Sequence, residues 1–312
     1  MSMKTYEKIY YYLQDQSDYT SGEALANEFE LSRTAIWKAI KTLEEKGIQI
    51  DSIKKRGYKI ISGDLLLPEV ISKNLKIGVT LNEKSESTQL DAKNNMDADK
   101  QTHLYLAPSQ EQAKGRFGRQ FFASKQGGIY MSLHLKPNIP FEDVKPYTLM
   151  VASSIVKAIS RLTGIETEIK WVNDIYYNGK KIAGILTEAI SSVETGLITD
   201  VIIGVGINFH ITDFPADISE KAGSLFSTQP SITRNQLITE IWNLFFTIPE
   251  KDLIKVYKEK SLVLNKQVTF MENDCLYTGL AQDITNQGHL IVKLDDGQEK
   301  LLRSGEISLS SW

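Results

Sequence analysis

Between Ser109 and Gln126 the chain reads SQEQAKGRFGRQFFASKQ, in which Lys114, Arg116, Arg119 and Lys125 are interleaved with Gly115 and Gly118. Glycine lets a backbone come close to a ligand, and cations at this density neutralise an anion, so a phosphate or a carboxylate is the natural guest. The chain has no GxxxxGK[ST] loop, and Gly204-Val205-Gly206-Ile207-Asn208-Phe209 lacks the third glycine and following helix of a dinucleotide fingerprint. Both of those nucleotide-binding modes are therefore excluded. By composition alone the loop also fits a flexible basic surface or an RNA-binding tract.

Two further features bear on the same chemistry. Along Val201 to Phe209, the residues Val201, Ile203, Val205 and Ile207 point to one face of a strand, and Ile202, Gly204, Gly206 and Asn208 to the other. Glycine weakens a strand, so two on one face signal a close neighbour, either a ligand or a packed helix. Lys170 in Lys170-Trp171-Val172-Asn173-Asp174 and Lys181 in Lys181-Ile182-Ala183-Gly184 interrupt runs that otherwise read apolar. An anionic ligand accounts for them, as does an exposed edge strand guarded by lysines.

The elements that must hold these residues alternate in type. Leu104 to Ala107 and Ile129 to Leu135 read as strands, while Leu149, Ala152, Val156 and Ile159 recur at helical spacing up to Gly164. Ile169 to Tyr177 and Ile182 to Ala189 flank Asn178-Gly179, the dipeptide preferred by type I′ turns, which predicts a hairpin of two strands. The polar stretch from Asn82 to Thr102 is expected to be a loop, or a helix flanked by loop. Leu237, Ile241, Leu244 and Phe245 mark a helix from about Asn235. From Val268 short strands separated by polar turns predict a small barrel of about 45 residues.

The first sixty residues follow a different plan. Ile9 and Leu13 form one helical stripe, Ser21 caps a second around Leu25 and Phe29, and Ser32 caps a third carrying Ile36, Ile40 and Leu43 up to Gly47. With that stripe buried, Arg33, Thr34, Trp37, Lys38 and Lys41 face outward. Ile48 to Ile53 and Tyr58 to Ile61 then form a hairpin with the basic tip Lys54-Lys55-Arg56-Gly57. This is the layout of a winged helix-turn-helix, with those eight side chains as the DNA-binding candidates. A basic helix face taken alone is equally a solvated surface. The 312 residues carry a net charge of −3, which argues against a nucleic-acid partner until it is divided. Arg33 to Lys59 is +5 and the rest of the chain −8.

Composition sets the remaining bounds. At 41% apolar and 24% charged residues the chain is that of a globular protein. One cysteine, Cys275, excludes an intrachain disulfide and a multi-cysteine zinc site, and the four histidines lack metal-ligand spacing. No run of 18 apolar residues occurs, and MSMKTYEKIYYY lacks the features of a signal peptide, so a soluble cytoplasmic protein is expected.

Taken in order, the motifs resemble those of the bifunctional biotin protein ligases that also repress biotin genes. That family shows a winged helix-turn-helix, then S-T-N, Q-x-x-G-R-G-R-x-G-R, K-W-P-N-D, K-x-A-G-I-L, G-x-G-x-N and G-E-I-S-L. Here stand Ser87-Thr88-Gln89, Gln110 with Lys114 to Arg119, Lys170 to Asp174, Lys181 to Leu186, Gly204 to Asn208, and Gly305-Glu306-Ile307-Ser308-Leu309. The resemblance spans nearly the whole chain. The departures are Ala113-Lys114 for Gly-Arg, which loses a bidentate fork and a permissive backbone position, Gln89 for Asn, and Val172 for Pro.

The resemblance implies an α+β chain of three domains: a DNA-binding domain over 1–62, a mixed α/β ligase domain over 63–264 and an SH3-like β-barrel over 265–312. It implies that biotin and ATP, with Mg²⁺, give biotinyl-adenylate, and that biotin passes to a lysine of a biotin carboxyl carrier domain. Lys181, Arg116, Arg119 and Lys170 would be catalytic. Ser87, Thr88, Gln110, Gly115, Arg116, Lys181, Gly204 and Gly206 would hold biotin, and Arg116, Arg119, Lys170, Asn173 and Asn208 the nucleotide. Asp174 is the metal candidate. The adenylate would promote a homodimer that binds operator DNA, with no membrane partner. A lipoate ligase and a non-catalytic ligand-sensing regulator are the competing readings.

Overall fold

The computed structural model describes residues 3–303, 305 and 307–309, so Glu306 of the last motif lies outside the described residues. The chain divides into two compact units, Met1–Asn74 with Thr233–Asn235, and Leu75–Ile232 with Gln236–Trp312.

The first unit holds helices α1 (Thr5–Leu13), α2 (Gly22–Glu28) and α3 (Arg33–Glu45), the strands β1 (Gln49–Ile53) and β2 (Gly57–Ser62), and most of α4 (Pro68–Leu75). Ser21 and Ser32 each accept a hydrogen bond from the backbone N–H three residues on, at 3.0 and 3.1 Å. Each such cap stabilises its helix by about 1 kcal/mol. Ile9, Leu13, Leu25, Ile36, Ile40 and Leu43 are buried together with Ile48. Leu65 and Leu67, in the stretch after β2, join the same core rather than bridging solvent. Asn235 secures that stretch, accepting from Leu67 N at 2.8 Å and donating to Leu65 O at 2.7 Å.

The second unit is built on a seven-stranded sheet. In chain order its elements are β3 (Gly78–Leu81), α5 (Thr88–Asn94), β4 (His103–Ala107), β5 (Gly128–Leu135), α6 (Tyr147–Thr163), β6 (Glu168–Lys170), β7 (Asp174–Tyr177), β8 (Lys180–Ser191) and β9 (Ile198–Asn208). Helices α7 (Arg234–Thr247) and α8 (Glu250–Glu259) follow, then strands β10 (Gln267–Glu272), β11 (Cys275–Ile284), β12 (Leu290–Leu294), β13 (Glu299–Leu302) and β14 (Ile307–Leu309). The large sheet runs β3-β4-β5-β9-β8-β7-β6, parallel only at β3 and β4. The last five strands form a separate antiparallel sheet, β13-β12-β11-β10-β14.

The register decides which side of the large sheet can carry a site. Gly184, Leu186 and Glu188 of β8 stand opposite Gly206, Gly204 and Ile202 of β9, so all six share one face, the one α5 covers. Thr187 is on the opposite face, where its hydroxyl accepts from Thr148 of α6 at 2.8 Å. Ser153 of α6 in turn donates to Leu253 O of α8 at 2.7 Å, layering the two helices.

One expectation is corrected. Ile169 to Tyr177 is not a single strand: β6 and β7 are antiparallel partners, with Lys170 opposite Asp174, and the chain reverses at Trp171-Val172-Asn173. An apolar run cannot distinguish one strand from two short ones meeting at a turn. The turn is held by Asn173, whose Nδ2 donates to Ile185 O at 2.8 Å, and by Trp171, whose Nε1 donates to Gly288 O at 2.8 Å. The hairpin at Asn178-Gly179 forms as expected, with φ of 49° and 73°, the left-handed pair of a type I′ turn. No element is expected from the sequence pattern at α4, β3 or α8. For α8 the signals were present: Pro249 before it, Glu250 and Asp252 in its first turn, and the buried stripe Leu253, Ile254 and Tyr257.

Candidate functional site

On the α5 face of the large sheet lies a cavity of about 890 Å³. Five regions wall it: the start of α5, the loop between β4 and β5, the β6-β7-β8 turns, Glu220-Lys221, and the end of the chain at Gly305, Ile307 and Ser308. Of the candidate residues for ligand chemistry, Ser87, Thr88, Gln110, Gly115, Arg116, Arg119, Lys170, Asn173, Asp174, Lys181, Gly204 and Gly206 all line it. Asn208 is not among the lining residues. It is buried, and its Nδ2 donates to Gly223 O at 2.9 Å, holding the 220s segment beside β8.

The basic loop is a folded hairpin rather than a flexible tract. Gly115 N donates to Arg119 O at 2.8 Å and Phe121 N to Ala113 O at 2.9 Å, around a 3₁₀ turn over Arg116–Gly118. Its left-handed positions are Phe117 and Gly118. Ala113 is buried and lies outside that pair, so the backbone position that lost a glycine does not need one. The hairpin turns Arg116 inward, where its guanidinium reaches Asn173 Oδ1 and Gly305 O, each at 3.4 Å. The loop's start is fixed to the chain before α5, with Glu111 N donating to Ser85 O and Gln112 N to Glu86 O.

The cations gather at one end. Lys181 Nζ lies 2.7 Å from Asp174 Oδ1, so the metal candidate is an ion-pair partner of the principal lysine. Lys170 Nζ sits 5.7 Å from the ring centre of Tyr176. Burial, with the Asp174 charge beside it, pushes the Tyr176 phenol up to about 12. Burial likewise raises the fully enclosed Tyr257 phenol, which donates to Val172 O at 2.9 Å behind the turn.

The other end is neutral and rich in hydrogen-bonding groups. Gln110 Oε1 accepts from Thr88 N at 2.7 Å, and Thr88 Oγ1 lies 2.9 Å from Ser132 Oγ. The two strand glycines do have a close neighbour. A side chain at Gly204 would meet Gln89 Oε1 at 2.5 Å, and one at Gly206 would meet the Phe121 ring at 2.5 Å. The neighbour is thus a helix residue at one glycine and a loop aromatic at the other, and both border the cavity.

Sequence reasoning passed over Phe121 and Ser132. Phe121 had a signal, an aromatic pair directly after the basic loop. Ser132 had none, since a serine within an apolar strand shows its partners only when strands and helix are assembled.

In the first unit, the helix-turn-helix candidates behave as expected by burial: Arg33, Thr34, Trp37, Lys38 and Lys41 on α3, and Lys54, Lys55 and Arg56 at the hairpin tip, are all exposed. Part of their charge is compensated locally. Arg33 pairs with Glu23 at 2.6 Å, Lys41 with Glu44 at 2.8 Å and Arg56 with Asp18 at 3.0 Å. Lys38, Lys54 and Lys55 have no ion pair among the described residues, which makes them the strongest sources of uncompensated positive charge on this surface.

Comparison with known proteins gives three family matches along the chain: a helix-turn-helix domain over residues 6–59, the biotin/lipoate A/B protein ligase family over 81–208, and the biotin protein ligase C-terminal domain over 263–310. The bifunctional ligase/repressor BirA of Bacillus subtilis is 30% identical over 313 residues, covering 94% of each chain. That of Escherichia coli is 25% identical, again over 94% of each. Among solved structures, the biotin protein ligase of Aquifex aeolicus in complex with biotin and ATP aligns at a TM-score of 0.61 and 25% identity, over 74% of this chain and 98% of that one.

Proposed function

The chain belongs to the family of bifunctional biotin protein ligases and repressors, and from that premise we propose that its cavity joins biotin to ATP and passes the biotinyl group to a carrier domain. The observation that carries this reading is one cavity lined both by neutral hydrogen-bonding groups, Thr88 and Gln110, and by the cations Arg116, Arg119, Lys170 and Lys181. Biotin is such a molecule, a fused-ring urea with a carboxylate tail.

In the first step the biotin carboxylate attacks the α-phosphorus of ATP, expelling pyrophosphate and leaving biotinyl-adenylate. Two anions must meet, so cations at the point of contact offset their repulsion and stabilise the charge that develops on the leaving group. Lys181 would sit at the carboxylate and α-phosphate, Arg116 and Arg119 would clamp the adenylate, and Lys170 with Asn173 would line the nucleotide side. Asn208 would support that side through the Gly223 carbonyl it holds. Ser87, Thr88, Gln110 and the backbone at Gly115, Gly204 and Gly206 would receive the rings. In the second step the lysine amine of a biotin carboxyl carrier domain attacks the mixed anhydride and releases AMP.

Mg²⁺ enters this scheme with the triphosphate, as part of the substrate. Among the described residues no cluster of three or more His, Cys, Asp or Glu could hold a resident ion, and Asp174 is engaged by Lys181.

The same proposal keeps the division into 1–62, 63–264 and 265–312, with the last five strands as an SH3-like barrel. It has the adenylate drive a homodimer that spaces two α3 helices along a palindromic operator. Cytoplasmic residence follows from those partners, and no helix among the described residues is long and apolar enough to cross a membrane. The test is to incubate the protein with ATP, Mg²⁺, a carrier domain and either biotin or lipoate, and to weigh the product. A mass gain with biotin alone is expected; a gain with lipoate alone would overturn the assignment.

A further inference from the structure

Beneath the neutral end of the cavity runs a chain of hydrogen bonds that starts outside it. Glu188 of β8 receives two donors from α5, one helical turn apart: Lys93 Nζ reaches Oε1 at 2.8 Å and Gln89 Nε2 reaches Oε2 at 2.9 Å. The same end of the Gln89 amide also faces Ile202 O at 3.2 Å and Leu186 O at 3.5 Å. Three acceptors surround it, so this end must be the NH₂ group, and the carbonyl oxygen must point the other way.

That orientation propagates. Gln89 Oε1 lies 2.9 Å from Ser132 Oγ, and an amide oxygen can only accept, so the Ser132 hydroxyl donates to it. With its hydrogen spent, Ser132 Oγ accepts from Thr88 Oγ1 at 2.9 Å. Thr88 has then used its own hydrogen, and what it offers the cavity is a lone pair. Gln110 Oε1 is taken by the Thr88 backbone N–H at 2.7 Å, a bond shorter than the 3.3 Å approach of the Thr88 hydroxyl to the same oxygen. The Nε2 hydrogens of Gln110 are thereby left to the cavity.

We propose that Glu188 is a positioning residue for the ligation reaction: as the nearest and the only charged of the three acceptors around the Gln89 amide, it works with Ile202 O and Leu186 O to hold the direction of the chain Gln89, Ser132, Thr88, so that Thr88 accepts and Gln110 donates toward the ligand. An acceptor beside a donor complements an N–H beside a C=O, the edge of a cyclic urea. A ring without N–H groups leaves Thr88 unpaired, which should weaken binding by about tenfold or more. Gln89 has the length to pass Gly204 and reach Glu188, and its amide bonds to Glu188 and Ser132 make it the relay between them. This inference rests on the reading of the cavity as a biotin site.

The test compares Glu188→Gln with Lys93→Met in steady-state biotin ligation. Glutamine keeps the size but can donate, so the Gln89 amide loses its nearest and only charged acceptor and is held in its direction by the two longer carbonyl contacts alone; KM for biotin should rise about tenfold, with kcat and KM for ATP within about twofold. Lys93→Met leaves the acceptor in place and should move the biotin KM by less than about threefold. A cyclic-carbamate analogue, with an oxygen for one ring N–H, should be disfavoured about tenfold by the unsubstituted protein and distinctly less by Glu188→Gln. An unchanged biotin KM in Glu188→Gln, equal shifts in both variants, or unaltered discrimination against the analogue would each overturn the proposal. Failure of the unsubstituted protein to ligate biotin would instead overturn the reading on which it rests.

Discussion

Lys181 Nζ and Asp174 Oδ1 are 2.7 Å apart inside the cavity, with both side chains only partly exposed. The β7–β8 hairpin brings them together across its turn, and no well-aligned hydrogen bond accompanies the contact, so charge holds the pair. An entering anion must share Lys181 with Asp174.

Lys181→Gln is therefore expected to reduce adenylate formation by about 10²–10³-fold, the scale of losing one donor aimed at developing charge. Pyrophosphate release measures it. Turnover like that of the unsubstituted protein would remove Lys181 from the reaction.

Arg116 reaches Asn173 and Gly305, which line the cavity with it, and this suits a clamp on the intermediate. Arg116→Gly should speed release of biotinyl-adenylate by about 10- to 100-fold, the worth of a hydrogen bond to a charged group. An unchanged off-rate would contradict the clamp.

On the helix-turn-helix, Lys38→Ala should weaken operator binding and lower the slope of log K against log salt by about 0.9, since each phosphate contact releases one counterion. Arg56→Ala should do the same, to a degree reduced by its pairing with Asp18. Biotin ligation should not change in either variant; a ligation defect would mean that the border between the DNA-binding and ligase functions lies elsewhere.

Asp200 carries a pH prediction. Burial alone would raise its carboxyl, but hydrogen bonds from Lys136, Thr199 and His134 outweigh that and hold it below the usual range. A carboxylate depressed on folding stabilises fully above its unfolded value, about 3.9, and the contribution fades as pH falls toward the folded one. Asp200→Asn should thus cost about 1–3 kcal/mol from pH 8 down to about 5, and the gap should narrow below about pH 4. Urea midpoints across that range decide it; a gap that widens in acid would reverse the assigned sign.

Much of this protein was legible because its signals are local. Ser21 and Ser32 declare helix starts, Asn178-Gly179 declares a hairpin, and the alternation from Val201 puts Gly204 and Gly206 on one face, since caps, turns and strand faces depend on residues a few positions apart. The grouping of Arg33 with Lys54 to Arg56 was likewise available, once charge was counted by segment rather than over the whole chain.

What the sequence determined by itself was the kind of chemistry: an anion-binding loop, a lysine pair at 170 and 181, and a basic helix with a basic hairpin. The tertiary structure alone decided how those groups are disposed. It set Asp174 against Lys181, turned the chain back at Trp171 to Asn173, put Phe121 over Gly206 and left Asn208 outside the cavity. It also joined Glu188 to Thr88 through Gln89 and Ser132, four residues drawn from α5, β5 and β8. Register between strands brings such residues together, and register is set by the packing of whole sheet faces, which no short stretch of sequence carries.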